Sequence, residues 1–190
     1  MGIIDSLAER RSFYSLNREL PVTPEKIAET VKRVTELVPD AFNCRSARVV
    51  LLLGEKHDSF WNRVFEVFDG KLAREKSDSF RAGAGTILFF YDENVVKGLQ
   101  ENFPLYAANF PLFARDANGM LQICMWTALR ELGLGASLQH YNPVIDEMVR
   151  ELCAVPQNWR LISQMPFGGI AGPAKVKDTE DISLRVKVLQ

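Results

Sequence analysis

The chain has 190 residues, the size of one domain, and is 47% hydrophobic and 25% charged, a balance that excludes disordered, collagen-like and coiled-coil chains. Its formal charge of −1 provides no global basic field for a nucleic-acid backbone, although a local cluster can still hold an isolated phosphate. A compact monomer of this length exposes roughly 9,000 Å² and buries about 70% of its extended surface, enough for a core without disulfides or metal.

Cys44, Cys124 and Cys153 are too few and too scattered for a disulfide framework or a zinc site, and His57 and His140 form no ligand pair. Apolar runs such as Val49 to Leu53 fall far short of a membrane span. Asp5 and Glu9 interrupt any signal-peptide core. The expected setting is reducing and cytoplasmic. Met1 to Ser6 matches the loose myristoylation pattern, but reads as the start of a helix.

A first helix runs up to Arg10-Arg11-Ser12. Thr23-Pro24 is a cap and first-turn pair that opens a second helix to about Val38, with Ile27, Val31, Val34 and Leu37 as its buried stripe. Arg48 to Leu53 is a buried strand ended by Gly54. An amphipathic helix follows, with Phe60, Trp61, Val64, Phe65 and Phe68 on one side, and Thr86 to Tyr91 is another buried strand. Residues 94–115 are helical but broken by Pro104 and Pro111. Met120 to Leu132 is apolar around most of its circumference, as a central enclosed helix is. Gly135 to Tyr141 forms a third strand, Asn142-Pro143 caps a helix carrying Ile145, Met148, Val149 and Leu152, and Arg160 to Met165 is a fourth strand. Ile182, Leu184, Val186 and Val188 alternate with polar residues as a half-buried terminal strand. There is no internal repeat or flexible linker, so residues 1–190 are read as a single α/β or α+β domain.

Familiar catalytic motifs are missing. Gly83-Ala84-Gly85 precedes a strand, which is the wrong context for a dinucleotide fingerprint, and there is neither a phosphate loop nor a serine elbow. Three segments remain. Arg10-Arg11-Ser12 offers two guanidiniums and a hydroxyl, suited to a phosphate or simply to a helix C-terminus. The loop Pro39 to Ser46 carries Asn43 and Ser46, which can meet a polar ring edge or merely turn the chain. Gln139-His140-Tyr141-Asn142 ends a strand, a common ligand position, although a lone His there is more often simply hydrogen-bonded.

Taken with Arg48-Val49-Val50-Leu51, Phe103-Pro104-Leu105-Tyr106-Ala107, Phe110-Pro111, Asn118-Gly119-Met120-Leu121-Gln122, Trp126-Thr127-Ala128-Leu129, Gly135 to Pro143 and Gln164-Met165-Pro166-Phe167-Gly168, these segments resemble the FMN-dependent nitroreductase family. The likeness is closest to the short branch of fungal fatty-acid-repression proteins and their bacterial relatives. The resemblance implies an α+β three-layer sandwich, with a central, mostly antiparallel sheet between helices, assembled as an intertwined homodimer with two interfacial FMN sites. It implies that Arg10 and Ser12, with Arg11 nearby, hold the FMN phosphate and ribityl chain, and that Lys175 and Lys177 close over the phosphate. Pro39, Asp40, Ala41 and Asn43 would contact the ring from the opposite subunit. Gln139 and His140 would lie along its reactive edge, a backbone N–H there donating to N5. Asp40 and Cys44-Arg45 depart from the serine and Ser-Gln of many relatives.

Tyr106, Phe110 and Phe113 either roof the substrate face or belong to the core. No side chain is needed as a nucleophile, because hydride enters and leaves through the flavin. The implied activity is hydride transfer from NADH or NADPH to nitroaromatic or quinone-like acceptors by a ping-pong mechanism, with no metal. The implied alternative is a flavin-binding regulator of fatty-acid or stress responses.

Overall fold

A computed structural model of the protein describes residues 2–190. Its elements in chain order are α1 (Ile3–Glu9), β1 (Leu16–Asn17), α2 (Pro24–Leu37), β2 (Ala47–Leu53), α3 (Glu55–Val67), α4 (Arg74–Arg81), β3 (Gly85–Asp92), α5 (Glu93–Asn102), α6 (Phe110–Glu131), β4 (Gly135–Ala136), α7 (Asp146–Cys153) and β5 (Trp159–Ile170). The strands form a five-stranded antiparallel sheet in the order β1-β5-β3-β2, with β4 also paired to β5. The fold is α+β, with helices on both faces of the sheet, as the resemblance implied.

The central strand β3 alternates between two cores. Ile87 and Phe89 face Ile27 and Val31 of α2 and Leu121, Met125 and Leu129 of α6. Leu88 and Phe90 face Phe60, Trp61 and Val64 of α3, Phe80 of α4, and Met148 and Val149 of α7. This period-2 alternation is the physical cause of the sandwich: a strand apolar at every position must be covered on both sides.

Local signals explain most element starts. The Thr23 hydroxyl accepts the Lys26 N–H (3.3 Å) at the head of α2, which carries Pro in its first turn. Gly2, at the N-cap of α1, donates its N–H to the Asp5 carboxylate (3.1 Å), so the described part of the Met1-to-Ser6 pattern is a helix start.

Several expectations are corrected. Leu37 is 60% exposed, because α2 ends there and turns away from the sheet. β2 is an edge strand, and Leu52 alone of its residues is buried, the others being half-buried. Helix α4 has no counterpart in the sequence reading: it is polar apart from Phe80, too short a stripe to announce itself. Pro111 begins α6 instead of breaking a helix, because an N–H missing in the first turn costs nothing. Helix α6 is not enclosed all round: Met120 and Ile123 are exposed, as is Cys124.

The strand expected over 135–141 pairs as β4 and then only through a single bridge at Gln139. Asn142-Pro143 is a cis peptide in the turn before α7, whose cap is Ile145. The expected terminal strand is absent: Ile182–Leu184 is one 3₁₀ turn, and residues 181–190 are exposed. Alternation alone cannot make a strand without an edge to pair with, and the tail meets none in its own chain. Among the described residues no helix is long and apolar enough to cross a membrane.

Candidate functional site

At the end of α1 the Arg10 N–H closes on the Ser6 carbonyl (3.0 Å) and the backbone turns extended. Ser12 then bridges Ala136, whose carbonyl accepts the Phe13 N–H (2.9 Å). Gly135 permits this approach: a Cβ there would lie 2.9 Å from both Phe13 Cβ and Ile170 Cγ1, tighter than packed atoms tolerate. The same Ala136 carbonyl accepts the indole N–H of Trp126 on α6 (3.2 Å), which fixes the ring. The Arg10 guanidinium lies over that ring, 4.4 Å from its centroid. Its Nε is buried with no hydrogen-bond partner among the described residues.

Arg11 donates from Nη2 to the Lys175 carbonyl (2.5 Å), which ties the start of the C-terminal segment to this cluster. The side chains of Lys175 and Lys177 are exposed. Arg130 pairs with Glu9 (3.6 Å), but among the described residues neither Arg10 nor Arg11 has a carboxylate at ion-pair distance. Burial, and then the neighbouring Arg11 charge, lower the Arg10 pKa below its ordinary value. Two adjacent, unneutralised guanidiniums, one with a buried donor unused, are suited to an anion.

Beside them runs the segment 137–141. The Ser137 N–H donates to the Pro166 carbonyl (3.2 Å), and Gln139 exchanges both main-chain bonds with Gln164 of β5 (2.7 and 2.9 Å). The buried Gln139 side chain donates to the Ser137 hydroxyl (3.1 Å). The Tyr141 N–H donates to Oε1 of Gln164 (2.8 Å). Between them, the His140 N–H finds no acceptor among the described residues and its side chain is exposed. Of the two backbone donors, Gln139's is committed to the sheet, and His140's is uncommitted among the described residues.

The loop 39–45 is built differently. Phe42, Asn43 and Arg45 all have positive φ (58°, 49° and 52°), a conformation costing roughly 1–2 kcal/mol per non-glycine residue. The Asp40 carboxylate holds the turn by accepting the Ser46 N–H (3.0 Å) and the Cys44 thiol (3.2 Å), a thiol whose pKa burial raises. Asp40 thus serves its own loop. Phe42 packs on Phe103 and Phe110, with ring centroids 5.0 and 5.3 Å away. Pro39, Asp40, Asn43 and Arg45 line a cavity of about 350 Å³ whose floor includes Ala117 and Leu121 of α6. Ala41, half-buried, does not line it. Of the three aromatics considered as a roof, Phe110 is 1% exposed and packs with Val96 and Ala114 as core; Phe113 is half-buried against it and Tyr106 is exposed.

The structure thus brings Arg10, Arg11, Ser12, Gln139, His140 and the Lys175 backbone into one region, and leaves 39–45 apart. Ala117 and Trp126, the α6 residues of the two regions, are nine positions apart, about two and a half turns at 3.6 residues per turn. They therefore lie on opposite sides of the helix, roughly 14 Å apart along its axis. Two further participants received no role from sequence: Trp126, the platform under Arg10, and Gln164, the partner of 139–141. The available signals were a lone indole on an aliphatic helix and a glutamine inside an apolar strand.

With this geometry in hand, comparison with known proteins gives a consistent result. Residues 7–169 match the model of the Nitroreductase family. The chain is 36% identical over 173 residues to HBN1 of Saccharomyces cerevisiae, covering 90% of this chain and 89% of that protein. It is 37% identical over 168 residues to nitroreductase FRM2 of the same yeast, covering 87% and 86%. Nitroreductase CinD from Lactococcus lactis, solved in complex with chloramphenicol, superposes over 100% of both chains with a TM-score of 0.95 at 43% identity. CinD has also been solved with 4-nitrophenol and with nicotinic acid.

Proposed function

Because the chain belongs to the nitroreductase family, whose fold supports an oxidoreductase role, we propose that it is an FMN-dependent oxidoreductase. It takes hydride from NADH or NADPH and passes it to nitroaromatic or quinone-like acceptors. The observation that carries the cofactor reading is Arg10: a buried guanidinium nitrogen without a partner, on an indole platform, beside a second unneutralised arginine. The doubly charged phosphate of FMN fits that donor set, with Ser12 and the exposed Lys175 and Lys177 at its margin. When bound, FMN supplies two-electron hydride acceptance and donation.

The protein's own work is to bind, orient and exclude. Arg10, Arg11 and Ser12 anchor the phosphate. The His140 N–H, uncommitted among the described residues, is the donor offered to the ring edge. The strained loop 39–43 contacts the ring of a second copy. If one ring face serves donor and acceptor in turn, the kinetics are ping-pong; that the relative CinD has been solved with two nitroaromatics supports an acceptor of that class.

A homodimer belongs to the same proposal. The accessible surface is 11,195 Å², against roughly 9,000 Å² for a compact monomer of this size. Met120, Ile123 and Leu112 of α6 and Ile3, Ile4 and Leu7 of α1 are exposed, an apolar excess that a partner would cover. A cytoplasmic setting is supported by three free cysteines.

Anaerobic mixing of the purified yellow protein with NADH or NADPH is the test. Bleaching of bound FMN, and parallel double-reciprocal lines in steady state, are expected. Bound FMN that does not bleach favours the flavin-binding regulator, and a colourless protein that takes up no FMN defeats the cofactor assignment. Deleting residues from Asp181 onward should lower dimer and FMN content together, measured by light scattering and absorbance.

A further inference from the structure

Gln164 is fully buried in the middle of β5, and it touches the segment 139–141 in three ways. Its main-chain N–H donates to the Gln139 carbonyl (2.9 Å) and its main-chain carbonyl accepts the Gln139 N–H (2.7 Å). Its side-chain Oε1 accepts the Tyr141 N–H (2.8 Å).

The consequence follows from peptide planarity. The Gln139 carbonyl and the His140 N–H belong to one trans peptide and point in opposite directions. With that carbonyl tied to β5, the His140 N–H is aimed directly away from the sheet. The next peptide plane carries the Tyr141 N–H, and there the ladder has ended. Only the Gln164 side chain holds it. One residue therefore sets both planes flanking His140.

The side chain is costly for a purely structural role. Its amide nitrogen is buried without a partner among the described residues, a penalty that a leucine of similar volume would not carry at that atom. What glutamine supplies and leucine does not is the acceptor for Tyr141.

We propose that Gln164 is a positioning residue: its main chain directs the His140 N–H away from β5, and its side chain, by holding the Tyr141 plane that follows, keeps that N–H from swinging out of line with the flavin ring. This rests on the FMN reading above. Gln164 does not meet the reacting atoms itself; it acts through the 139–141 backbone.

The experiment is an FMN titration of ¹⁵N-labelled protein, following the His140 amide, in wild type, Gln164→Leu, Gln164→Asn and Gln164→Glu. In wild type, FMN should shift the His140 amide proton downfield. Gln164→Leu should bind FMN within about threefold of wild type, because the phosphate anchor is untouched, yet lose that shift. Its kcat should fall by about tenfold or more with little change in KM, as expected for lost alignment. Gln164→Glu, which keeps an acceptor oxygen at the same reach, should restore both. If Gln164→Leu fails to fold, Gln164→Asn decides, since its acceptor falls short of Tyr141 by one methylene.

A wild-type His140 shift that persists unchanged in the Leu or Asn variant overturns this proposal alone. A wild type that binds FMN without any His140 response removes the ring-edge assignment, and with it the proposal. A wild type that binds no FMN defeats the functional reading itself.

Discussion

On one face of the sheet, α3, α4 and α7 press Phe60, Trp61, Phe80, Met148 and Val149 against Leu88 and Phe90, and their outer surfaces carry ion pairs such as Arg63–Glu151 and Arg81–Asp78. On the other, α2 and α6 cover Ile87 and Phe89, but the outer side of α6 exposes Met120 and Ile123. One polar cluster in each layer shows the same contrast. In the first layer the Thr86 hydroxyl accepts the Trp61 indole N–H (2.9 Å) and faces His57 Nδ1 (2.8 Å), while His57 Nε2 faces the Arg81 carbonyl (3.3 Å). A carbonyl can only accept, so the imidazole proton sits on Nε2 and Thr86 donates to Nδ1. That chain is closed. In the second layer the Arg10 guanidinium over Trp126 keeps an unused donor. A hydrogen-bonded chain that closes on itself serves stability, whereas a buried guanidinium with no carboxylate beside it is suited to something outside the chain.

Substitutions can test that division, beginning with the largest effect. Phe80 is fully buried and packs on Trp61 with ring centroids 4.7 Å apart. Phe80→Ala should cost about 3–5 kcal/mol of stability in urea unfolding. The folded fraction should keep wild-type FMN affinity, and a parallel loss of affinity would break the comparison.

Arg10→Ala should do the reverse. Loss of charge-assisted bonds of about 1.5–3 kcal/mol weakens FMN binding roughly ten- to hundredfold. The urea midpoint of the FMN-free protein should move little, because removing Arg10 also relieves its repulsion with Arg11. Fluorescence titration and urea melts read the two quantities separately.

His57 sharpens the comparison through pH. Burial is the main cause that lowers its pKa from the ordinary value of about 6.5. The unfolded chain therefore binds this proton more readily than the folded one. Its contribution to stability is complete above about pH 6.5 and is lost as pH falls through the lowered folded value. Urea melts from pH 7.5 down to 5 should show a smaller decline for His57→Gln than for wild type, with no such difference in FMN affinity.

The smallest effect is expected from Lys177→Gln. An exposed cation contributes about 0.2–1 kcal/mol, so FMN binding should weaken by no more than about fivefold, and the difference should shrink in high salt.

Much of this layout is carried by local pattern. The stripe of Ile27 and Val31 behind the Thr23-Pro24 start specifies α2. The run from Thr86 to Phe90, apolar after its threonine, specifies a central strand, and the arginine pair after α1 marks a cationic cluster by composition alone. Such features are decided within a few residues, by backbone geometry and side-chain chemistry. Other features needed neighbours distant in the chain. Pro111 could end a helix or begin one, and the packing of Phe110 on Val96 and Ala114 accompanies the second choice. The segment 135–141 has the composition of a full strand, but β5 pairs fully only with its start, and the Gln164 side chain takes over where the ladder stops. The tail alternates perfectly and still forms no strand, because alternation describes which face of a strand would be apolar, not whether an edge is there to pair with it. Sequence by itself determined the family, the two-sided core and the cationic end of α1, since these depend on residue type and spacing. Tertiary structure alone decided that Gln139's N–H is consumed and His140's is free, and that Arg10 and the 39–45 loop lie on opposite sides of α6, since hydrogen-bond direction and helix facing arise only once distant segments are fixed against one another.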